Sequence, residues 1–240
     1  MGDQIKLSAA QVKSSLKKLE DKDKALFLSR YFKTAPGEYG HGDKFLGIKV
    51  PESRKIARSS RNLSLPEIQK LLDSKYHEQR LVGLFILVLK FDQASDKEQK
   101  SIYHFYVKNL NNVNNWDLVD SSAPQIVGRF LLNKDKAILY KWASSKNLWK
   151  RRVSILSTLH FIREKKYRDA LNIGEVLLDD SEDLIHKGVG WMLREIGNRD
   201  IKKEEMFLKK HYQKMPRTML RYAIEKFPEK KRKDYLLGRI

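Results

Sequence analysis

Gln79-Arg80-Leu81-Val82-Gly83, Lys150-Arg151-Arg152-Val153-Ser154 and His186-Lys187-Gly188-Val189-Gly190 follow one pattern: a polar residue, a basic residue, a variable position, valine and a small residue. Trp116-Asp117-Leu118-Val119-Asp120 falls between the first two with valine at the same place. The aligned positions Val82, Val119, Val153 and Val189 are 37, 34 and 36 residues apart, and Ala223 follows after 34. A period of this length holds one helical hairpin. Two-helix units repeated at such a period mark an α-solenoid, in which each repeat buries its apolar stripe against its neighbours. Few identities recur between the windows, so a non-repeating helical bundle stands as the competing reading.

Outward from these windows, helical spacing recurs along the chain and alternating strand patterns are nearly absent. Ser8-Ala9-Ala10-Gln11 reads as a capping box ahead of Val12, Leu16 and Leu19. Pro51 and Pro66 sit where prolines open helices, and Pro216 separates two helical runs. Helices are expected over residues 8–20, 22–33, 51–60, 65–73, 76–92, 95–109 and 115–132. Further helices are expected over 135–145, 148–165, 167–179, 182–197, 201–213, 216–226 and 229–237. Short connections between them imply antiparallel neighbours. No linker or composition break divides the chain, so residues 1–240 are expected to form a single domain, an α-solenoid whose stacked repeats present a concave face.

The formal net charge is +19. A compact chain carrying that much self-repulsion is most naturally matched to a polyanion, and nucleic acid is the first candidate, with acidic membranes and an incidental basic surface as alternatives. There is no cysteine, which removes disulfides and thiolate zinc sites and suits a reducing, cytoplasmic setting. The start Met1-Gly2-Asp3-Gln4 has no signal-peptide pattern, and the apolar stretch Leu84 to Leu89 is too short to span a bilayer. The six histidines show no ligand spacing, so neither a catalytic metal nor a cofactor is expected. Walker and nucleophile-elbow sequences are absent as well. Hydrolysis would have to run on carboxylates and electrostatics.

The least ordinary stretch is Asn114-Asn115-Trp116-Asp117-Leu118-Val119-Asp120-Ser121-Ser122. It opens a helix and sets an indole and a carboxylate, Trp116 and Asp120, four residues apart on one face. Asp117 and Asp120 also lie where the helix macrodipole favours anions. The competing reading makes these acids caps and Trp116 a core residue. Trp191, between glycines at Gly188-Val189-Gly190-Trp191, reads either as a stacking surface or as packing. Basic residues on the repeat helices, namely Arg151, Arg152, Lys187, Arg194, Arg217 and Arg221, are candidate phosphate contacts. The Lys230-Lys231-Arg232-Lys233 run reads equally as solvated surface. Between Thr34 and Lys49, Pro36, Gly37, Gly40, Gly42 and Gly47 interrupt helix formation, and the segment reads as a flexible loop, with Tyr39 and His41 as possible DNA contacts.

Taken together, Phe45-Leu46-Gly47-Ile48, Asn115-Trp116-Asp117-Leu118-Val119-Asp120-Ser121, Leu148-Trp149-Lys150-Arg151-Arg152 and Gly190-Trp191-Met192-Leu193-Arg194-Glu195 resemble the AlkD family of DNA alkylation-repair glycosylases, in order, from about residue 25 to 226. The resemblance implies that residues 1–240 form a single HEAT-like repeat domain, a right-handed superhelix that clasps duplex DNA on a basic concave face. It also implies excision of positively charged bases such as 3-methyladenine and 7-methylguanine without flipping them into a pocket, by a protein expected to act as a monomer. On matching positions it implies Asp120 as the catalytic carboxylate, Trp116 and Trp191 as aromatic surfaces and Arg152 as a phosphate contact. Lys49-Val50 departs from the polar residues that often follow the first motif, and the glycine-rich loop over 34–44 is longer than in some members. Contacts to the strand opposite the lesion are therefore open. Counted at 100° per residue from the aligned valines, Arg152 and Trp191 do not point the same way as Trp116 and Asp120. A non-catalytic reader of bent or branched DNA and a protein-binding scaffold remain the alternatives.

Overall fold

The computed structural model describes residues 7–240; the Met1-Gly2-Asp3-Gln4 start lies outside them. Among the described residues there is no β-strand, only an isolated parallel bridge between Lys44 and Tyr76. The all-α expectation holds. The chain divides into two compact units, Met1–Ser122 and Ala123–Ile240.

The first unit runs through α1 (Ala9–Lys17), α2 (Lys22–Tyr31), α3 (Val50–Ser59), α4 (Leu65–Leu72), α5 (His77–Gln93), α6 (Asp96–Lys108) and α7 (Trp116–Asp120). The Ser8 capping box forms as the sequence predicts, with Gln11 N–H donating to Ser8 Oγ and Ser8 N–H to Gln11 Oε1. Glu67, in the first turn of α4, takes the Ala9 N–H at 2.8 Å and so ties α1 to α4. Helix α5 is the axis of the unit. It packs against α1, α3, α4, α6 and α7 and is buried on every side from His77 to Leu87, which explains why its sequence is apolar all round from Leu81 to Leu87 rather than striped.

The second unit opens on a π-helical turn, Pro124–Gly128, followed by α8 (Arg129–Leu131), α9 (Ala137–Ala143), α10 (Leu148–Arg163), α11 (Arg168–Val176), α12 (Asp183–Gly197), α13 (Ile201–His211), α14 (Arg217–Ala223) and α15 (Glu229–Leu237). Helices α10, α12 and α14 pack in succession, with α9 and α11 against α10 and with α11 and α13 against α12. Each unit is therefore assembled from helices that bury themselves against sequence neighbours. The repeat register survives in the packing: Val82, Val119, Val153 and Val189 are wholly buried, and Ala223 is 1% exposed.

The helix expected over 115–132 is not continuous. Pro124 has no N–H to give to Asp120, four residues earlier, and its ring crowds that carbonyl, so the regular ladder stops at Asp120 and resumes only after the π turn. Gly128 in that turn meets α10 backbone to backbone; a Cβ there would stand 2.2 Å from the Ser157 carbonyl oxygen.

Close approach also explains Gly190. A Cβ built on it lies 2.5 Å from the Met219 carbonyl oxygen and 2.5 Å from Tyr222 Cβ, so α12 and α14 touch through this residue. Gly190→Ala must push the two helices apart, and we expect a loss of about 1–3 kcal/mol, since overpacking a rigid backbone contact cannot relax through a side chain. Urea unfolding would show it as a lower midpoint at unchanged slope.

Candidate functional site

Helix α7 begins at Asn115, which is fully buried; its Oδ1 accepts the Trp116 N–H at 2.8 Å and its Nδ2 donates to Asp43 at 3.3 Å. The helix start is thus anchored to the glycine-rich segment. That segment is tied down rather than loose. Lys44 N–H donates to the Lys75 carbonyl at 2.9 Å, and the His77 N–H to the Lys44 carbonyl at 2.8 Å. Glu78, 2% exposed, accepts the N–H groups of Leu46, Gly47 and Ile48 over 2.8–3.2 Å. Gly47, at φ +81, brings the chain so close to α2 that a Cβ would lie 2.1 Å from the Asp21 carbonyl oxygen.

Tied down in this way, the segment delivers Phe45 to an aromatic stack. Phe45 lies on Phe32 at 5.0 Å between ring centres, and Phe32 lies nearly parallel to Trp116, at 5.2 Å and 12°. Tyr31 meets Trp116 edge-on at 6.2 Å. Trp116 is half-buried, its ring braced from α2. The cap of α7 is Asn115, and Asp117 stands in the first turn of the helix. The Asp117 Oδ1 takes the Leu118 N–H and its Oδ2 lies 2.8 Å from His77 Nε2. Asp120 closes the helix, half-buried, one turn from Trp116.

Beneath Trp116 sits a charge cluster that the sequence reading passed over. His77 Nδ1 is 3.2 Å from Asp43, whose other oxygen takes Arg80 Nη2 at 2.7 Å; Asp43, His77 and Arg80 are all buried. Burial opposes a charge on His77, but the Asp117 and Asp43 carboxylates outweigh it and its pKa is pushed up to about 9. Burial likewise opposes the Asp43 charge, yet His77 and Arg80 hold its pKa below the usual carboxylate value. No local spacing in the sequence marks His77, because the carboxylates that accept from its ring lie 34 and 40 residues away. Among the described residues no cluster of metal-ligating side chains occurs.

The remaining candidates lie in the second unit. Trp191, half-buried on α12, donates its indole N–H to Glu195 at 3.3 Å. Arg152, on α10, packs against α12: it is 4% exposed, donates to the Leu184 carbonyl and lies beside Gly188. Its neighbour Arg151 forks onto Asp180, with Nε 2.5 Å and Nη2 3.2 Å from the two carboxylate oxygens, and also donates to the Ser145 and Lys146 carbonyls. Lys187 pairs with Asp183 at 2.8 Å and Arg194 pairs with Glu225. Arg217 and Arg221, both exposed, sit on α14, where Arg217 donates to the Leu236 carbonyl. The structure therefore brings Trp116 and Asp120 together on α7. It sets Arg152 against the helix that bears Lys187, Trp191 and Arg194. Arg151 and Arg152, read from the sequence as candidate phosphate contacts, are bonded to protein acceptors.

A family model described as DNA alkylation repair enzyme matches residues 12–227. The chain belongs to that family. The family implies a DNA-binding protein with a role in DNA alkylation repair. Solved structures share the fold: a predicted DNA alkylation repair enzyme from Enterococcus faecalis superposes with a TM-score of 0.69 at 18% identity, over 88% of this chain and 97% of that one. AlkD2 from Streptococcus mutans gives 0.54 at 17% identity over 92% and 97%. A further Streptococcus mutans protein gives 0.53 at 16% over 92% and 99%. At these identities the likeness concerns the fold of the alkylation-repair family and not its residues. No curated protein matches. Among the described residues of this alkylation-repair protein no helix is long and apolar enough to cross a membrane.

Proposed function

We propose that the protein is a monofunctional glycosylase that hydrolyses the N-glycosidic bond of positively charged alkylpurines, 3-methyladenine and 7-methylguanine, in duplex DNA and without flipping the base. The observation that carries this reading is α7 itself: an indole face braced by Phe32 and a carboxylate one turn away, on a short helix whose start is anchored by a buried asparagine. An alkylated purine already carries positive charge, so it leaves as a neutral base with the bonding pair and needs no strong acid. Charge then develops on deoxyribose C1′. The Asp120 carboxylate stabilises that oxocarbenium character and orients the water whose oxygen bonds to C1′ while its proton passes through the carboxylate to solvent. Trp116 offers an electron-rich face to that cation, and Trp191 is kept as a second candidate aromatic surface for the duplex.

Phosphate contacts are assigned first to Arg217 and Arg221, which are exposed in the unbound protein. At Arg151, Arg152, Lys187 and Arg194, and at Arg217 where its Leu236 bond must break, contact with a phosphate exchanges bonds already made to protein acceptors, so these residues position DNA at a smaller net gain than Arg221. Arg221→Ala should weaken binding to all duplexes alike and lower the slope of log affinity against log salt by about 1, measured by fluorescence anisotropy. An unchanged slope removes Arg221 from the interface.

The glycosylase reading is tested by chromatography of free 3-methyladenine and 7-methylguanine released from methylated duplex, against a no-protein control. Release above the spontaneous rate supports it. Tight duplex binding with no release would leave a non-catalytic DNA-binding protein.

A further inference from the structure

A neutral imidazole has one N–H and one bare nitrogen, and a carboxylate can only accept. Both ring nitrogens of His77 lie within hydrogen-bond reach of a carboxylate oxygen, 3.2 Å from Asp43 and 2.8 Å from Asp117. The two acids belong to different parts of the chain: Asp43 to the glycine-rich segment, Asp117 to α7, with His77 at the first residue of α5. Only an imidazolium satisfies both. Four buried or nearly buried charges, Asp43, Asp117, His77 and Arg80, then sum to zero, whereas a neutral ring leaves one uncompensated anion beneath α7. The ring is further gripped by two faces, Phe45 at 4.7 Å and 21° and Phe32 at 5.0 Å. Phe32 is the same ring that carries Trp116.

We propose that His77 is the positioning residue of α7: as an imidazolium clamped between Asp43 and Asp117, it holds the helix and its underlying aromatic stack so that the Trp116 face and the Asp120 carboxylate keep one fixed orientation. The proposal rests on the glycosylase reading only for what Asp120 then does. His77 touches no reacting atom. Its effect passes through the Asp117 bond to the backbone of α7 and through Phe32 to the indole. Other charged groups surround the ring. Glu78 and Arg80 belong to its own helix, Asp43 to the glycine-rich segment and Asp117 to α7, while Lys24 of α2 and Lys49 ahead of α3 line the adjoining apolar cavity of about 310 Å³. Glu78 is satisfied by three backbone amides, and the lysines face the cavity rather than pairing with the ring.

The sign of the pH dependence follows from the geometry. The folded-state pKa is raised from 6.5 to about 9, so the clamp is fully present below the unfolded value and is lost as pH rises through about 9. The unmodified protein supplies the first measurement, nitrogen-detected histidine ring spectra between about pH 6 and about pH 10. The His77 ring should hold both protons at neutral pH. The indole N–H cross-peak of Trp116, assigned by its loss in Trp116→Phe, should move in step as the ring deprotonates. A ring that is neutral at neutral pH, or a Trp116 cross-peak indifferent to its titration, overturns the proposal without any variant.

The second measurement uses His77→Gln, whose amide can bond one carboxylate but not both. Single-turnover release of 3-methyladenine at saturating protein should fall about 10- to 100-fold, as misplaced groups cost, while duplex affinity stays within about threefold. The alkaline fall in rate near pH 9 should vanish in the variant. Asp43→Asn keeps the Asp117 bond and should give a smaller loss of the same kind. A native rate in folded His77→Gln refutes the positioning role. Should the unmodified protein release no base at all, the glycosylase reading fails alone, and the ring spectrum with the Trp116 cross-peak still decides for or against the clamp.

Discussion

Asp120→Asn should lower the rate of 3-methyladenine release from duplex DNA by about two to three orders of magnitude, the usual cost of losing a group aimed at transition-state charge. The substitution is nearly isosteric; it removes the charge and turns one acceptor oxygen into an N–H donor. It therefore leaves the last turn of α7 with a group of the same shape beside the π turn that Pro124 imposes. Binding gives the internal control. DNA is a polyanion, so deleting a carboxylate from the surface that faces it should leave affinity unchanged or slightly increase it. A slower rate at undiminished affinity cannot then be ascribed to weaker binding, and places the loss in the step at which C1′ becomes cationic. Single-turnover kinetics with anisotropy on the same duplex separate the two quantities. A variant that releases base at the native rate ends the assignment of Asp120, and one that loses binding instead identifies the carboxylate as a structural element of α7.

The fold was legible because its determinants are local and periodic. The aligned valines and Ala223 repeat at hairpin spacing and all prove buried, and the Ser8 box starts α1 as read. The helix expected over 115–132 was drawn too long because its hydrophobic spacing continues past Pro124 while its hydrogen-bond ladder does not. The Trp116–Asp120 pair could be read because four residues on a helix is a local relation. Its supports could not. Asp43, His77 and Phe32 meet α7 only through tertiary contacts over 40 to 84 positions of sequence, and no spacing rule encodes them. Nor could charge count reveal that Arg151 and Arg152 are consumed by Asp180 and the Leu184 carbonyl, since an arginine at a helix start looks the same whether its partner is a phosphate or the protein itself. The segment over 34–49 misled in the opposite direction. Its glycines signal irregular backbone, which need not be mobile: Gly47 is required by close approach to α2 and the amides beside it are bonded to a buried acid.

That buried acid carries the other large expectation. Glu78→Ala should destabilise the protein by about 3–5 kcal/mol, because it leaves the N–H groups of Leu46, Gly47 and Ile48 without an acceptor in a site that water does not reach freely. A buried carboxylate is costly in itself, but here three successive amides converge on it at 2.8–3.2 Å, so the desolvation is offset in the native protein and exposed only when the acceptor is removed. Glu78→Gln keeps one carbonyl acceptor and loses the charge, and should cost less than half as much. For a chain of this size the alanine variant should melt about 10 °C lower in a thermal scan. The damage should not stop at stability. Phe45 precedes the three amides, Phe45 and Phe32 grip His77, and Phe32 carries Trp116, so hydrogen exchange should quicken at residues 46–48 and then along α7. An alanine variant that melts within about 1 °C of the parent would mean that the amides find other partners, and that the Lys44 bridge and the bonds to Asp43 suffice to hold the segment over 34–49.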